Sequence, residues 1–306
     1  MHPTPLHHRT PLIHSPRLSE RAGTEVRLKM ESAQPTGSFK LRGMGHACQT
    51  LAARGAKGFV SSSGGNAGIA AAYAGSALKL PVNVVVPETT TAHAQALIHD
   101  QGAHVTVLGE SWQEANAHAE TLAGRDHPLL HPFDDELLWQ GHATLIDEVL
   151  DAGFVPDAVV ASVGGGGLLC GLIEGLQRHG CNNTRIIACE TAGAASLRAA
   201  LDAGHPVSLE RVTSVATSLG AKRVCDRVLT LSAEHPLDSH VVADARAVDA
   251  CVRFLDDHRT LVEPACGASL ALAYAQPRVL DRFEKVLMVV CGGATVTLND
   301  LLAMAG

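Results

Sequence analysis

The chain has 306 residues, 46% of them hydrophobic and 18% charged, a balance that supports a large folded core and argues against intrinsic disorder. Its net charge of −7, with no Lys/Arg-rich block, argues against nucleic-acid binding, which needs a basic face. The length suits two domains of ordinary size or one large α/β unit. With only six Phe, two Tyr and two Trp, the core must rest on Ala, Val, Leu and Ile. Eight cysteines are spread thinly and form no Cys-x-x-Cys pair, the pattern of reduced thiols in a cytoplasmic protein rather than a secreted disulfide framework. The seventeen histidines include no His-Glu-x-x-His motif, which argues against zinc, and His2, His7, His8 and His14 read as a polar leader. No basic-then-apolar signal pattern opens the chain. Phe59 to Leu78 is uncharged for twenty residues, the length of a membrane span, but it opens with the polar turn Ser61-Ser62-Ser63-Gly64-Gly65-Asn66. It is therefore read as strand, loop and helix of a soluble protein.

In chain order, residues 1–30 are extended and proline-punctuated, with Val26–Met30 as a short alternating strand. Ser38 can cap a helix over Phe39–Arg54 that Gly55 stops. Strand-like Gly58–Ser61 leads through the glycine turn into an alanine-rich helix to about Leu78. Val82–Val86 is a buried strand, followed by a helix over Ala92–Gln101, a strand over Val105–Leu108 and a helix over Ser111–Ala123. Ser111 and Glu114 have capping-box spacing in that last helix. Asp126–Asp135, with two prolines, is the candidate passage between domains. After it come a helix over Glu136–Ala152, an apolar strand Asp157–Val163 that runs into Gly164–Gly167, a helix Leu168–Arg178 and a strand Arg185–Cys189. Helices over Asp244–His258 and Pro264–Ala275 precede the strand Lys285–Val290, which ends in Cys291-Gly292-Gly293. No internal repeat appears, and the last helix is expected to leave no room for a C-terminal regulatory domain. Strands alternating with helices, several of them apolar throughout, specify open parallel sheets covered on both faces.

Three glycine turns follow apolar strands, at 64–65, 164–167 and 292–293. In parallel sheets ligands bind beyond the carboxyl ends of the strands. Four consecutive glycines ahead of a helix can form an anion nest of backbone N–H groups, reinforced by the helix N-terminus, and phosphate is its natural guest. A dinucleotide is one reading: Gly165-x-Gly167-x-x-x-Gly171 approximates the Rossmann fingerprint, with Glu190 nineteen residues further on. Cys170 breaks the strict spacing, however, and no Walker lysine follows any glycine turn. Pyridoxal 5′-phosphate is the other reading, since it needs a phosphate nest and a lysine for its aldehyde. Lys40, between glycines and after Ser38 and Phe39, is by itself either an ordinary solvated charge or an amine poised for covalent chemistry.

The motifs decide between these readings together. Ser38-Phe39-Lys40-Leu41-Arg42-Gly43, Ser61–Gly68, Pro132-Phe133-Asp134-Asp135, Gly164–Leu168, Glu263-Pro264-Ala265-Cys266-Gly267-Ala268 and Val290-Cys291-Gly292-Gly293 occur in that order. From about Pro5 onward the chain resembles the fold-type II pyridoxal-phosphate enzymes, and within them the serine/threonine dehydratases of the short L-serine dehydratase type. The resemblance implies two open, mostly parallel twisted-sheet α/β domains of the tryptophan synthase β-like kind, with the cofactor in the cleft between them. Residues 1–40 and 135–306 would form the large cofactor-binding domain, and residues 41–134 the small substrate-loop domain.

It also implies roles. Lys40 anchors the cofactor aldehyde and serves as base, and Phe39 packs on the ring, where core packing is the alternative. Ser63, Gly64, Gly65, Asn66 and Ala67, with Phe133, bind substrate; Asn66 also reaches the cofactor's phenolic oxygen, or simply caps a helix. Gly164, Gly165, Gly166, Gly167 and Leu168 hold the phosphate. Cys291 faces the pyridine nitrogen as a neutral thiol, a weak donor that leaves the ring uncharged and favours hydroxyl expulsion over racemisation; the plain alternative is a buried strand-end cysteine. Glu190, Ala194, Ser196, Leu219 and Ala221 match positions where relatives hold a cation such as K+, although Glu190 also reads as a solvated acid. Relatives carry alanine or glycine at Gly64, and glycine there would enlarge the space beside the substrate. The implied activity is dehydration and deamination of L-serine and L-threonine by a cytoplasmic homodimer. Serine racemase and cysteine synthase are the nearest rivals on the fold; an oxidoreductase and a non-catalytic amino-acid-binding protein are rivals of other classes.

Overall fold

The computed structural model describes residues 4–276 and 278–305, so His2 of the polar leader lies outside the described residues. The strands are β1 (Leu12–His14), β2 (Glu25–Met30), β3 (Phe59–Ser61), β4 (Val82–Val86), β5 (His104–Val107), β6 (Leu129–Leu130), β7 (Ala158–Ser162), β8 (Arg185–Thr191), β9 (Leu237–Val242) and β10 (Lys285–Val290). The α-helices are α1 (Pro16–Ala22), α2 (Lys40–Ala53), α3 (Asn66–Leu78), α4 (Ala92–Asp100), α5 (Trp112–Leu122) and α6 (Glu136–Asp151). They continue with α7 (Gly167–Arg178), α8 (Ser196–Ala203), α9 (Asp226–Glu234), α10 (Asp244–His258), α11 (Pro264–Ala273) and α12 (Leu298–Ala305).

Two sheets organise the chain. One has the strand order β5-β4-β3-β6, parallel throughout, and the other β1-β2-β10-β7-β8-β9, parallel except for the antiparallel β1–β2 pair. The alternating strand–helix pattern thus produces the open α/β architecture it specifies. The chain packs as two compact units: Met1–His8 with Gln34–His142, and Arg9–Ala33 with Ala143–Gly306. Lys40 and the Ser63–Ala67 turn therefore belong to the unit of the four-stranded sheet, and Gly164–Gly167 and Cys291 to that of the six-stranded one. No helix among the described residues is long and apolar enough to cross a membrane.

Strands buried on both faces are nearly continuous apolar runs, which is why β7, apolar over Ala158–Ala161, and β10, apolar over Val286–Val290, are legible from sequence. β9 is only partly buried, interrupted by Asp238 and His240 at the sheet edge, and gives no such signal. α1 is a single short helix whose Ser15 cap accepts a hydrogen bond from Leu18 N–H at 3.3 Å, with Gly23 closing it at φ 76°.

Three local expectations are corrected. Ser38 is not a cap: Phe39 occupies that position, and the buried Ser38 Oγ has no partner. Gly37, at φ 71°, closes a turn onto the Gln34 carbonyl, and Ser38 lies one residue ahead of the Phe39 cap. In α5, Ser111 accepts from Glu114 N–H at 3.3 Å, but the Glu114 carboxylate reaches the Glu110 N–H at 2.7 Å, one residue before the position a capping box uses. Asp126–Asp135 is not a bare passage, because its Leu129–Leu130 form β6 beside β3.

Candidate active site

In the first unit the site begins where β3 ends. Ser62 Oγ donates to Asn116 Oδ1 at 2.6 Å, fixing the start of the turn to α5. Gly65 N–H reaches Ser63 Oγ at 3.4 Å, and α3 starts at Asn66 with Gly65 in the cap position and no side-chain cap. The first N–H groups of α3 therefore face whatever lies ahead of the helix, an arrangement suited to a carboxylate. Gly64 does not enlarge open space as expected. A methyl group there would lie 2.6 Å from Thr90 Oγ1, so the Thr90 side chain already fills the volume that an alanine side chain would need.

Lys40 is the first residue of α2 and is partly buried. Its Nζ donates to the Pro132 carbonyl at 2.6 Å and lies 5.3 Å from the centroid of the Phe39 ring. Phe39 packs on His142, with ring centroids 5.1 Å apart. Burial first, and then the charges of Lys40, Arg42 and His7, hold the His142 imidazole well below its ordinary pKa, so it is neutral. Phe133 belongs to the same turn as Pro132 and packs edge-on against His131 at 4.7 Å. The structure thus brings Lys40, Phe39, Pro132 and Phe133 together. His131, His142 and Thr90 were not anticipated; a histidine before a proline carries no periodic signal that would single it out.

In the second unit β10 and β7 are sheet neighbours with Met288 opposite Val160, so the turns after them emerge side by side. The turn after β7 is Gly164–Gly167. Among the described residues, no backbone or side-chain acceptor receives the N–H groups of Gly164 to Leu168. Gly166, at φ 95°, occupies the cap of α7, and a Cβ there would lie 2.3 Å from Val228 Cγ2. Only glycine satisfies both the backbone angle and that approach. These amides, at the N-terminus of a buried twelve-residue helix, form an anion nest.

Cys291 ends β10 in a buried position, and the structure adds a second thiol beside it. A hydrogen bond with Cys266 first, and then burial, push the Cys291 thiol well above its ordinary pKa, so it stays protonated. Glu263, also unanticipated as an organiser, is 2% exposed and holds the next turn. Its Oε1 accepts from Thr295 N–H at 2.8 Å and Thr295 Oγ1 at 2.7 Å, and its Oε2 from Ser218 Oγ at 2.6 Å.

The expected cation ligands are less convergent. Glu190 is buried, not solvated, and its two oxygens accept from Leu197 N–H at 2.7 Å and Arg198 N–H at 2.8 Å, capping α8. Burial pushes its carboxyl up to about 7 against those bonds. Ser196 Oγ beside it is buried without a partner, and Ala194 is fully buried. Leu219 ends a short 3-10 helix, and its carbonyl accepts from Ala221 N–H at 2.9 Å. No group of three His, Cys, Asp or Glu side chains capable of holding a metal occurs among the described residues.

These donors fit pyridoxal phosphate. The nest offers unclaimed N–H groups to a phosphate, Lys40 offers a primary amine to an aldehyde, and Cys291 offers a neutral thiol to a ring nitrogen. Fold and donors together define an α/β enzyme built for a phosphate-bearing aldehyde cofactor. Residues 3–292 match the family model described as pyridoxal-phosphate dependent enzyme, and the chain belongs to that family. It is 48% identical to the serine dehydratase-like protein of Mus musculus, over 97% of this chain and 93% of that one. Against the L-serine dehydratase/L-threonine deaminase of Homo sapiens the identity is 46%, covering 98% and 95%. The crystal structure of a fungal L-serine ammonia-lyase from Rhizomucor miehei superposes with a TM-score of 0.92 at 36% identity, covering 98% of both chains.

Proposed function

We propose that this enzyme dehydrates L-serine, and L-threonine, to an enamine whose hydrolysis releases ammonia and leaves pyruvate or 2-oxobutanoate. The observation that carries the reading is the near-complete alignment, at 48% and 46% identity, with proteins named for serine dehydration. When bound, pyridoxal phosphate supplies an electron sink for the substrate's α-carbon. The residues of this chain supply the rest. Lys40 would anchor the cofactor through its aldehyde, and its Nζ would serve as the base that takes the α-proton. The Ser63-Gly64-Gly65-Asn66-Ala67 turn and the start of α3 orient the substrate carboxylate, Asn66 also serves the cofactor's phenolic oxygen, and Phe133 lines the substrate. Gly164–Gly167 and Leu168 hold the phosphate. The protonated Cys291 thiol would face the ring nitrogen as a weak donor that does not ionise it, which would favour loss of the β-hydroxyl over long-lived charge at the α-carbon. The released enamine tautomerises and hydrolyses in water.

A K+ ion bound through carbonyls near Ala194, Leu219 and Ala221, with Ser196 and Glu190, is part of the proposal, supported by the partnerless Ser196 hydroxyl. It is tested by exchanging K+ for Na+ in the assay. A cytoplasmic homodimer completes the proposal, on the thiol state of all eight cysteines and the prevalence of two-fold assemblies.

The test is a product assay on L-serine, D-serine, L-threonine and O-acetylserine beside the visible spectrum. The expected result is a cofactor absorbance and release of 2-oxo acid from L-serine and L-threonine, both abolished by Lys40→Ala. Purified protein with no such absorbance and no 2-oxo acid from L-serine overturns the proposal. D-serine as product assigns a racemase, and turnover only of O-acetylserine with sulfide a synthase.

A further inference from the structure

The turn that carries Pro132 and Phe133 is held by a single imidazole. His131 Nδ1 accepts the Asp134 N–H at 2.8 Å and the Phe133 N–H at 3.3 Å. A ring nitrogen that accepts from amides bears a lone pair, so the neutral imidazole carries its proton on Nε2. The same ring packs edge-on against Phe133 with centroids 4.7 Å apart. On the other side of the turn, the Pro132 carbonyl receives Lys40 Nζ at 2.6 Å. The Phe133 carbonyl receives the indole N–H of Trp139 at 2.9 Å. The lysine amine and the histidine ring thus both contact the one segment that carries Pro132 and Phe133.

We infer that His131 is a positioning residue for Lys40: its neutral imidazole shapes the His131–Asp134 turn so that the Pro132 carbonyl holds the amine whenever it is not bound to the cofactor, as when it acts as base, and protonation of the ring loosens that hold. This rests on the reading of Lys40 as anchor and base. A proton on Nδ1 sets a donor against two amide donors, and the turn loses both bonds. The charged groups that face the ring are Asp134 and Asp135 on its own segment, Lys40 at the start of α2 and Glu120 on α5. Burial, chiefly, keeps the imidazole below its ordinary value of 6.5; Lys40 acts in the same direction, while Asp134, Asp135 and Glu120 oppose it. With the folded-state value lowered, the neutral turn is complete above 6.5 and opens as pH falls through the lowered value.

The molecule carries its own reporter. Of its two tryptophans, Trp112 is replaced by Phe, leaving Trp139 on the Phe133 carbonyl as the sole indole. In this background the holoenzyme is titrated between about pH 5 and about pH 8. Trp139 emission, the visible cofactor band and kcat/KM for L-serine are recorded together. His131→Asn places an amide oxygen near the position of Nδ1, able to accept the same N–H groups without titrating; His131→Ala removes the acceptor.

The expected result is one shared acid-side transition in emission and kcat/KM for the Trp112→Phe parent. His131→Asn should show neither transition while keeping kcat/KM within about threefold at pH 8. His131→Ala should show the acid-form emission already at pH 8, with kcat/KM reduced by about tenfold or more. The inference is overturned if His131→Asn titrates as its parent does, or if His131→Ala leaves emission and kcat/KM unchanged. Should His131→Ala fail to fold by circular dichroism, His131→Asn alone decides. Failure of the dehydratase reading looks different: no variant releases 2-oxo acid, yet the emission titration still tests the imidazole-held turn.

Discussion

Gly166→Ala puts the phosphate nest to a quantitative test. Gly166 has φ 95°, and a β-carbon there would meet Val228 Cγ2 at 2.3 Å and Cys225 Sγ at 3.3 Å. Two costs separate. Holding alanine at that backbone angle costs about 1–3 kcal/mol, and forcing a methyl group against the fully buried Val228 costs about 1–3 kcal/mol more. The loop can relax, but only by moving the amides proposed to hold the phosphate. Equilibrium urea unfolding of Gly166→Ala should therefore show a loss of about 2–6 kcal/mol, and cofactor titration followed by the visible band should show weaker binding. The double variant Gly166→Ala/Val228→Ala removes the Cγ2 atoms and should recover the packing part as a favourable coupling of about 1–3 kcal/mol, leaving the backbone part in place. Gly65→Ala is the control: φ is −118° and nothing lies within 4 Å of its Cβ, so stability should hold within about 0.5 kcal/mol. Gly166→Ala that unfolds and binds cofactor like the parent, or zero coupling to Val228→Ala, refutes the reasoning.

Two further outcomes follow from buried charge. Glu263→Ala leaves the Thr295 N–H, Thr295 hydroxyl and Ser218 hydroxyl without their acceptor, and unfolding should show a loss of at least about 3 kcal/mol; a loss under about 1 kcal/mol contradicts a structural role for the carboxylate. Lys29, 1% exposed, donates to Glu148 Oε2 at 2.5 Å and to the Thr10 carbonyl at 2.8 Å. Lys29→Met removes the cation paired with the buried Glu148 carboxylate, which keeps the Thr10 N–H at 3.2 Å, and should destabilise by about 3–5 kcal/mol at neutral pH, whereas Lys29→Met/Glu148→Gln should recover most of that; equal losses in the two proteins exclude the charge explanation.

The sequence by itself determined the α/β class, because β4, β7 and β10 are apolar runs and α2, α6 and α10 are long periodic segments, signals that need no knowledge of partners. The cofactor was legible only through resemblance: the glycine run alone left a dinucleotide open and Lys40 alone an ordinary charge, and the motifs in order matched the pyridoxal-phosphate enzymes. The partly buried β9 and the short α1, α8 and α9 escaped because their stability comes from neighbours distant in sequence, not from their own periodicity. The same reason separates the rest of the site. Tertiary structure alone decided that Thr90 fills the volume beside Gly64, that Glu190 caps α8 and that Glu263 ties Ser218 to Thr295. It also set the Lys40 amine on a carbonyl 92 residues away, in a turn held by His131. Pattern reports what a residue prefers within a few positions of chain. Which donor meets which acceptor depends on how the elements pack.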